Sequence, residues 1–128
     1  MKLTTKFVAT TCIVLSALMT PVLAQQGVKR TSLRTIDFPP GYQTEMALVE
    51  FAPGTCVGRH SHPGISNGYI LEGETVLKVD GTPDQHLKAG DSMQIPAGAP
   101  HDDCSTTGAK SLTVQVIEKG KPRSSPAP

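Results

Sequence analysis

The sequence predicts an all-β domain, either a sandwich or a barrel, and two observations carry this prediction. No helical pattern of useful length occurs after residue 24. Short segments rich in β-branched and aliphatic residues alternate instead with turn signals made of glycine, proline and aspartate, as in sandwiches and barrels. The predicted strands cover residues 42–51, 67–71, 75–79, 92–95 and 111–117.

Turn signals separate these segments in order along the chain. Asp80-Gly81 follows segment 75–79 and favours a β-hairpin, because these residue types accept the backbone angles of tight hairpin turns. Glu72-Gly73-Glu74 predicts a tight turn after segment 67–71, since glycine supplies backbone freedom. The remaining turn signals are Pro39-Pro40-Gly41, Pro53-Gly54, Ala89-Gly90-Asp91, Pro96-Ala97-Gly98 and Thr107-Gly108.

Residues 1–24 have the three-part layout of a secretory signal peptide. Lys2 and Lys6 give a basic start, residues 7–19 are mainly apolar, and Val22-Leu23-Ala24 offers the small residues that a signal peptidase prefers. An uncleaved anchor is the less favoured alternative, because the apolar run is too short for a stable membrane span. We therefore expect an exported protein, periplasmic or secreted, with a mature chain of 104 residues.

The mature chain carries little net charge. Without Lys2 and Lys6, ten basic residues face eleven acidic ones, which gives a net charge of −1. Because no basic stripe occurs, neither nucleic acid nor, after signal cleavage, a membrane surface is expected as a partner. The length suits a single domain with a modest core, which we assign to residues 25–118.

Residues 119–128, with the sequence KGKPRSSPAP, form a proline-rich C-terminal tail. The segment has three prolines and no apolar period. We predict that it is flexible and either hangs free or lies along the surface. Its basic residues, Lys119, Lys121 and Arg123, are interpreted as a solvated end rather than as a binding patch.

Three of the four histidines have a pattern typical of a metal site. His60 and His62 are two residues apart, so on a strand they point to the same face. Imidazole suits Zn, Fe, Cu, Ni and Mn centres, and two such ligands need at least a third. His101, which follows a stiff proline and glycine turn, is the candidate for that third ligand. His86 is interpreted as an exposed strand residue.

The spacing of these histidines among glycines and a proline resembles the two motifs of the cupin superfamily. The pattern G-x5-H-x-H-x3-S-x6-G over residues 54–73 is similar to the first motif, and G-x5-P-x-G-x2-H-x3-S over residues 90–105 is similar to the second. The resemblance implies a small single-domain cupin with a type-2-like barrel, that is, a double-stranded β-helix or jelly roll. Flanking strands at residues 32–51 and 110–118 would complete the barrel.

The same resemblance implies one divalent transition metal ion (Fe, Zn, Ni, Cu or Mn) held by His60, His62 and His101. Family members usually have a glutamate at the place of Ser66 and an asparagine at the place of Ser105. Three neutral imidazoles without a carboxylate should bind hard ions such as Mn less well than Zn, Ni or Cu. The missing ligand also leaves a coordination position open to water or substrate.

Strand parity extends the prediction to two further positions. If His101 faces the interior, Asp103 should too, one pleat further along. There it would serve as a proton acceptor beside the metal ligands, although a solvated strand-edge aspartate is an equal alternative. Gly68 shares the inward face with Ser66 and would leave space for a substrate, or would simply accommodate packing.

Cys56 and Cys104 remain in the mature chain, in a setting expected to be oxidising. The resemblance to jelly rolls of this type implies that the strand of His60 and His62 pairs antiparallel with the strand of His101. Cys56 then falls nearly opposite Cys104, although their parities differ unless a bulge lies near residues 100–103. A disulfide, two inert thiols and a thiol beside the metal are the three alternatives.

Two functions are compatible with these residues, and a third alternative is a barrel that serves only as a scaffold for self-association, with vestigial histidines. The first is a mononuclear metal-dependent oxygenase, or a related enzyme, acting on a small organic substrate, with Asp103 moving a proton. The second is a non-catalytic module that binds a small ligand or a metal. Under either function we expect a small-molecule partner, and a homodimer formed through the outer sheet face would suit so small a barrel.

Overall fold

The computed structural model describes residues 27–128, and these residues form the predicted all-β jelly roll in a single domain. The predicted signal peptide, residues 1–24, lies outside the described residues. Residues 27–128 contain no helix long and apolar enough to cross a membrane. The strands are β1 (Val28–Ile36), β2 (Tyr42–Phe51), β3 (Thr55–Cys56), β4 (His60–Ser61), β5 (Ser66–Val79), β6 (Gln85–Lys88), β7 (Ser92–Ile95), β8 (His101–Ser105), β9 (Ala109–Glu118) and β10 (Ser125–Pro126).

Two antiparallel sheets share the long strand β5. In the first sheet the order is β1-β2-β9-β5-β7. In the second sheet β5 pairs with β6 and β8, β8 pairs with β3 and β4, and β4 pairs with β10. Because one strand runs through both sheets, the sheets fold over a common interior.

The prediction of a tight turn at residues 72–74 is wrong, since β5 continues through them. Its pairing with β9 shifts register between Ile70 and Glu72, and Gly73 adopts a positive φ of 72°. A Cβ atom at Gly73 would lie 2.1 Å from the carbonyl oxygen of Gly108, so only glycine fits there. The glycine that reads as a turn signal therefore bends one strand from the first sheet into the second.

The other predicted strands agree well with the structure. β2 and β7 have the predicted bounds, and β9 contains the predicted segment 111–117. The hairpin predicted at Asp80-Gly81 joins β5 to β6, with Leu77 paired to Gln85. β1 begins earlier than expected, at Val28.

The interior combines an apolar cluster with a polar wall. Leu77, Val79, Met93 and Ile95 pack together as buried residues. On β9, by contrast, three of the four buried positions are polar, namely Ser111, Thr113 and Gln115, and only Ile117 is apolar. Buried polar groups must find hydrogen-bond partners or a ligand, so this polar wall indicates where a site lies.

The C-terminal tail lies along the surface, one of the two predicted alternatives. Ser125 and Pro126 form β10, which pairs with Ser61 and His60 of β4. The backbone of Ala127 donates a hydrogen bond to the carbonyl oxygen of Arg59. The flexibility expected of the tail stays a prediction, but the interpretation of Arg123 as a merely solvated residue is wrong, because its side chain pairs with a buried glutamate.

Candidate metal centre and cavity

The three predicted histidines converge on one point inside the jelly roll. His60 on β4 lies directly opposite His101 on β8, and His62 follows β4 by one residue. The centroids of the rings are 4.8 Å (His60–His62), 4.2 Å (His60–His101) and 4.9 Å (His62–His101) apart. His62 and His101 are buried, and His60 is half-buried. We call these three residues the histidine cluster.

Backbone carbonyls fix the tautomer of each ring. Nδ1 of His60 donates a hydrogen bond to the carbonyl oxygen of Gly58 (2.7 Å), and Nδ1 of His101 donates to that of Ala99 (2.9 Å). Nδ1 of His62 donates to the carbonyl oxygen of Arg123 in the tail (2.8 Å). With the proton on Nδ1, each ring keeps its lone pair on Nε2, the atom available to a metal ion.

Burial keeps two of the rings uncharged. Desolvation lowers the pKa of His62 to about 4, helped by the nearby charges of His60, His101 and Arg30. Desolvation is also the largest cause that lowers the pKa of His101. Neutral imidazole is the form that binds metal ions, so both rings are ready to act as ligands at neutral pH.

The donor set of the histidine cluster fits a transition metal ion. Each ring offers a nitrogen, and these nitrogens all lie within 4.8 Å of one another. One further group of the described residues, Cys56, Asp102 and Cys104, has comparable spacing. Its two sulfur atoms are bonded to each other, however, so the histidine cluster is the better candidate.

Gln115 of β9 approaches the place where family members usually have a glutamate. Its Nε2 lies 3.3 Å from Oγ of Ser66, the residue in that place, and 3.1 Å from Nε2 of His62. Arg30 donates a hydrogen bond to Oε1 of Gln115 (3.0 Å), which turns the amide N–H group towards the histidine. Gln115 therefore engages the lone pair of His62, and its amide must turn away when an ion binds.

Asp103 faces the interior, as strand parity predicts. It is only 6% exposed, and its Oδ1 has no hydrogen-bond partner among residues 27–128. Burial, with a contribution from the charge of Asp102, raises the pKa of Asp103 to about 7. The alternative of a solvated strand-edge aspartate is thereby wrong, and the role of proton acceptor stays a proposal.

A second group of charged residues, which was not predicted from the sequence, borders the same cavity through its two arginines, Arg30 and Arg123. Glu45 on β2 is 4% exposed, and its Oε2 accepts hydrogen bonds from Nη2 of Arg30 (3.0 Å) and Nε of Arg123 (2.8 Å). Burial would raise the pKa of Glu45, but the hydrogen bond from Arg30 and the two positive charges outweigh it and lower the pKa. We call Arg30, Glu45 and Arg123 the charged cluster.

A sequence signal for part of the charged cluster existed. Strand parity places Glu45 on the same face as the apolar residues Val49 and Phe51 of a predicted strand, and an inward carboxylate requires a cationic partner. The identity of that partner is not readable from spacing, since Arg30 and Arg123 lie 15 and 78 residues away from Glu45.

The cavity between the two clusters has a volume of about 240 Å³. This is slightly below the ~300 Å³ at which typical ligand pockets begin, so the cavity suits a small molecule. Besides the histidine cluster, the two arginines of the charged cluster, Ser66, Gln115 and Asp103, its wall includes Val28, Val49, Phe51, Val57, Met93, Ile95, Ser111, Thr113 and Ser124.

Gly68 is a packing accommodation, and the alternative that it opens substrate space is wrong. A Cβ atom there would lie 2.5 Å from Cε of Met93, so the methionine side chain fills the space. His86 is exposed on β6, as predicted.

Cys56 and Cys104 are disulfide-bonded in the structure, on the outer face of the second sheet. They are paired directly across β3 and β8, with their Cα atoms 4.0 Å apart. Three residues separate Cys56 from His60, but only two separate His101 from Cys104. The extra residue lies in the segment 57–59, where Gly58 has a φ of 87°, so the parities are reconciled there and not by a bulge near residues 100–103.

Comparisons with known proteins agree with this architecture. A family model described as "Cupin domain" matches residues 47–117. The HTH-type transcriptional regulator PuuR of Escherichia coli (strain K12) is 36% identical over 87 residues, which are 66% of this chain and 46% of the regulator. The regulator of the same name from Shigella flexneri gives the same values. The chain therefore spans less than half the length of the curated relatives it matches.

Two solved structures show the same fold. A cupin superfamily protein of Desulfitobacterium hafniense DCB-2 has a TM-score of 0.64 and 24% identity, with 74% of this chain and 82% of that chain covered. The DMSP lyase DddQ of Ruegeria pomeroyi DSS-3 has a TM-score of 0.68 and 20% identity, with 79% and 52% covered. Since the family model covers more than half of the chain, this protein belongs to the cupin-domain family.

Proposed function

We propose that this cupin is an exported protein that binds one divalent transition metal ion through His60, His62 and His101 and takes a small molecule into the adjoining cavity. The observation that carries the proposal is the convergence of three imidazole rings. The Nδ1 atom of each ring is hydrogen-bonded to a backbone carbonyl oxygen. This arrangement leaves three Nε2 atoms for one ion.

The ligand set favours particular ions. The described residues place no carboxylate among the three nitrogens, and Ser66 offers only a hydroxyl where the family usually has a glutamate. Neutral nitrogen ligands suit Zn, Ni, Cu and Fe(II) better than Mn. We therefore expect the bound ion to be one of the former group.

Elemental analysis of the protein, purified without chelator or affinity tag, tests this proposal. The expected result is one transition metal ion per chain, and metal-free protein should bind Zn(II) with the same stoichiometry. A protein that carries no transition metal and does not take up Zn(II) or Ni(II) in a titration would contradict it.

An oxygenase, or a related metal enzyme, is the more specific candidate. Asp103 favours it, because a buried carboxyl beside the histidines, with no described residue bonded to Oδ1, can hold or accept a proton. A bound ion would supply Lewis-acid or redox chemistry in the cavity. Gln115, oriented by Arg30, presents an N–H group to a ligand oxygen there.

The non-catalytic binding module is the alternative, and the relatives do not choose between the two. One relative is named as a transcriptional regulator and matches over part of its length, whereas the likeness to the lyase shows the fold alone. Aerobic incubation of the iron-loaded protein with small organic acids separates the candidates. Consumption of oxygen, lost in Asp103→Asn, supports the enzyme; binding with unchanged ligand mass supports the module.

Export and self-association are further parts of the proposal, each with its own test. A periplasmic or secreted protein should begin at Gln25 by intact mass, and a full-length chain in the cytoplasm would contradict export. Met46, Tyr69 and Leu71 are partly exposed apolar residues of the first sheet. If that sheet forms a homodimer, light scattering should give twice the mass of the chain, and Tyr69→Lys should reduce it to the monomer value.

A further inference from the structure

The charged cluster has more positive charge than its internal pairing requires. Arg30 and Arg123 share a single carboxylate, Glu45, and both contact the same oxygen atom, Oε2. The cluster therefore has a net charge of +1. Arg30 is largely covered, with 22% of its side chain exposed, and both arginines line the cavity. A positive charge at a partly dehydrated wall attracts an anion more strongly than it would in water.

Two polar atoms beside this charge are buried without a hydrogen-bond partner in the part of the chain that the structure describes. Nε of Arg30 is one of them, although the other nitrogens of this side chain bind Glu45, Thr113 and Gln115. Oγ of Ser111, a residue that is 1% exposed, is the other. Both residues line the cavity. Such atoms require a hydrogen-bonding partner, and an oxygen atom suits both, since the hydroxyl and the guanidinium each donate.

Apolar residues lie next to the same arginine. Arg30 on β1 is directly paired with Val49 on β2, and Val28 is paired with Phe51. These residues line the cavity together with Met93 and Ile95. With a cavity of about 240 Å³, this wall accepts a short hydrocarbon body but no large polar group.

We propose that the cavity binds a small organic monocarboxylate, whose carboxylate lies against Arg30 and whose apolar body lies along Val49 and Phe51. The inference deepens the proposed function, since it names the chemical class of the small molecule that enters the metal-binding cavity. A single carboxylate balances the single excess charge of the cluster, and guanidinium groups match carboxylate geometry well. Gln115 connects the two clusters, because it binds Arg30 through Oε1 and approaches His62 through Nε2.

Calorimetric titration with hexanoate and with its neutral analogue hexanamide tests the proposal. The two probes have the same hydrocarbon body and differ in the head group, which is an anionic carboxylate in hexanoate and a neutral amide of similar shape in hexanamide. We expect hexanoate to bind at least about tenfold more tightly than hexanamide, the effect of one charge-assisted hydrogen bond. The titration is made with both metal-free and zinc-loaded protein, because a carboxylate can also bind zinc directly.

Arg30→Gln removes the proposed contact, and Lys29→Gln is its matched control. Lys29 is the neighbouring residue with the same charge but an exposed side chain, paired only with Glu50. We expect Arg30→Gln to abolish the preference for hexanoate and Lys29→Gln to retain it. If Arg30→Gln fails to fold, as judged by circular dichroism, Arg123→Gln serves instead, and the preference should fall at least threefold.

The outcomes separate this inference from the proposed function. A preference for hexanoate that occurs only with zinc, and that persists in Arg30→Gln, overturns the inference. The proposed metal centre is not contradicted by that result. A preference in metal-free protein, combined with failure to bind zinc at all, overturns the metal centre and supports the carboxylate site. Equal binding of hexanoate and hexanamide in both forms of the protein overturns the inference.

Discussion

The histidine cluster and the charged cluster lie on the same cavity but come from different parts of the chain. His60, His62 and His101 all fall within residues 47–117, the segment that matches the cupin-domain family. Arg30, Glu45 and Arg123 all fall outside it, on β1, at the start of β2 and in the tail. Family membership therefore bears on the metal ligands, whereas the flanking segments decide what else the cavity can bind.

The two clusters also differ in how they are held. The histidine rings are oriented by backbone carbonyls, and a disulfide joins β8, the strand of His101, to the neighbouring β3. The charged cluster is held by ion pairs to one carboxylate. Backbone hydrogen bonds and covalent links do not titrate, but a carboxylate does. A change of pH should therefore leave the bonds that orient the histidine rings intact. Acid, by contrast, should remove the ion pairs that hold the charged cluster.

Removal of a histidine should have the largest effect on the first cluster. We expect His101→Ala to lower the affinity for zinc by at least about a hundredfold, because the change removes one of three ligands. His86→Ala is the matched control, since His86 is exposed on β6 and contributes nothing to the cavity. Zinc titration with a competing chelator measures both. Equal losses in the two variants would mean that the convergence of the three rings has no bearing on metal binding.

Among the bonds that hold the two clusters in place, the disulfide should make the largest contribution to the free energy of unfolding. The bond closes a loop with a sequence separation of 48, for which chain entropy predicts about 4 kcal/mol of free energy of unfolding. Cys104→Ser should lose this amount in urea denaturation, and the Cys56→Ser/Cys104→Ser double variant should lose no more. Thiol titration of the denatured, unreduced protein is the check. Two free thiols in the wild type would contradict the bond.

Neutralising Glu45 should destabilise the charged cluster somewhat less. Glu45→Gln leaves Arg30 and Arg123 without their common counter-ion, which we expect to cost about 3 kcal/mol of unfolding free energy at pH 7. The folded state lowers the pKa of Glu45 below its ordinary value of 4.5. Its contribution is thus complete above that value and is lost as the pH falls through the folded-state pKa.

Comparison of wild type and variant at two pH values checks both the size and the sign of this effect. The difference in unfolding free energy between wild type and Glu45→Gln should be large at pH 7 and should shrink as the pH falls below 4.5 and through the folded-state pKa, since a protonated glutamate resembles glutamine. A difference that is constant over this range would show that the ion pairs do not stabilise the fold.

Truncation of the tail should have the smallest of these effects. It tests a link between the two clusters, because Arg123 pairs with Glu45 through its side chain and contacts His62 through its carbonyl group. Deletion of residues 121–128 removes the Arg123 carbonyl that accepts the hydrogen bond of His62 Nδ1. Loss of such a supporting bond typically lowers metal affinity by about tenfold. Deletion of residues 127–128 is the control, because their hydrogen bonds reach only Arg59. If both deletions leave zinc affinity unchanged, the tail does not support the histidine cluster.

Local rules explain what could be predicted at the site and what could not. The period of two in a strand places His60 and His62 together and turns Asp103 inward, as observed. The same rule fails across residues 57–59, where Gly58 takes a left-handed conformation and reverses the parity that links Cys56 to His60. A glycine signals backbone freedom in a sequence, but it does not say which way the chain uses it.

The sequence by itself determined the all-β class, most of the strands and the three histidines, because alternation and motif spacing act over a few residues. The tertiary structure alone decided that β5 bends instead of turning and that Arg30, Glu45 and Arg123 meet beside Gln115. Arg30 and Gln115 are 85 residues apart in the chain. Which distant charges become neighbours depends on the register of strands that pair only when the sheets close, and no local pattern carries that information.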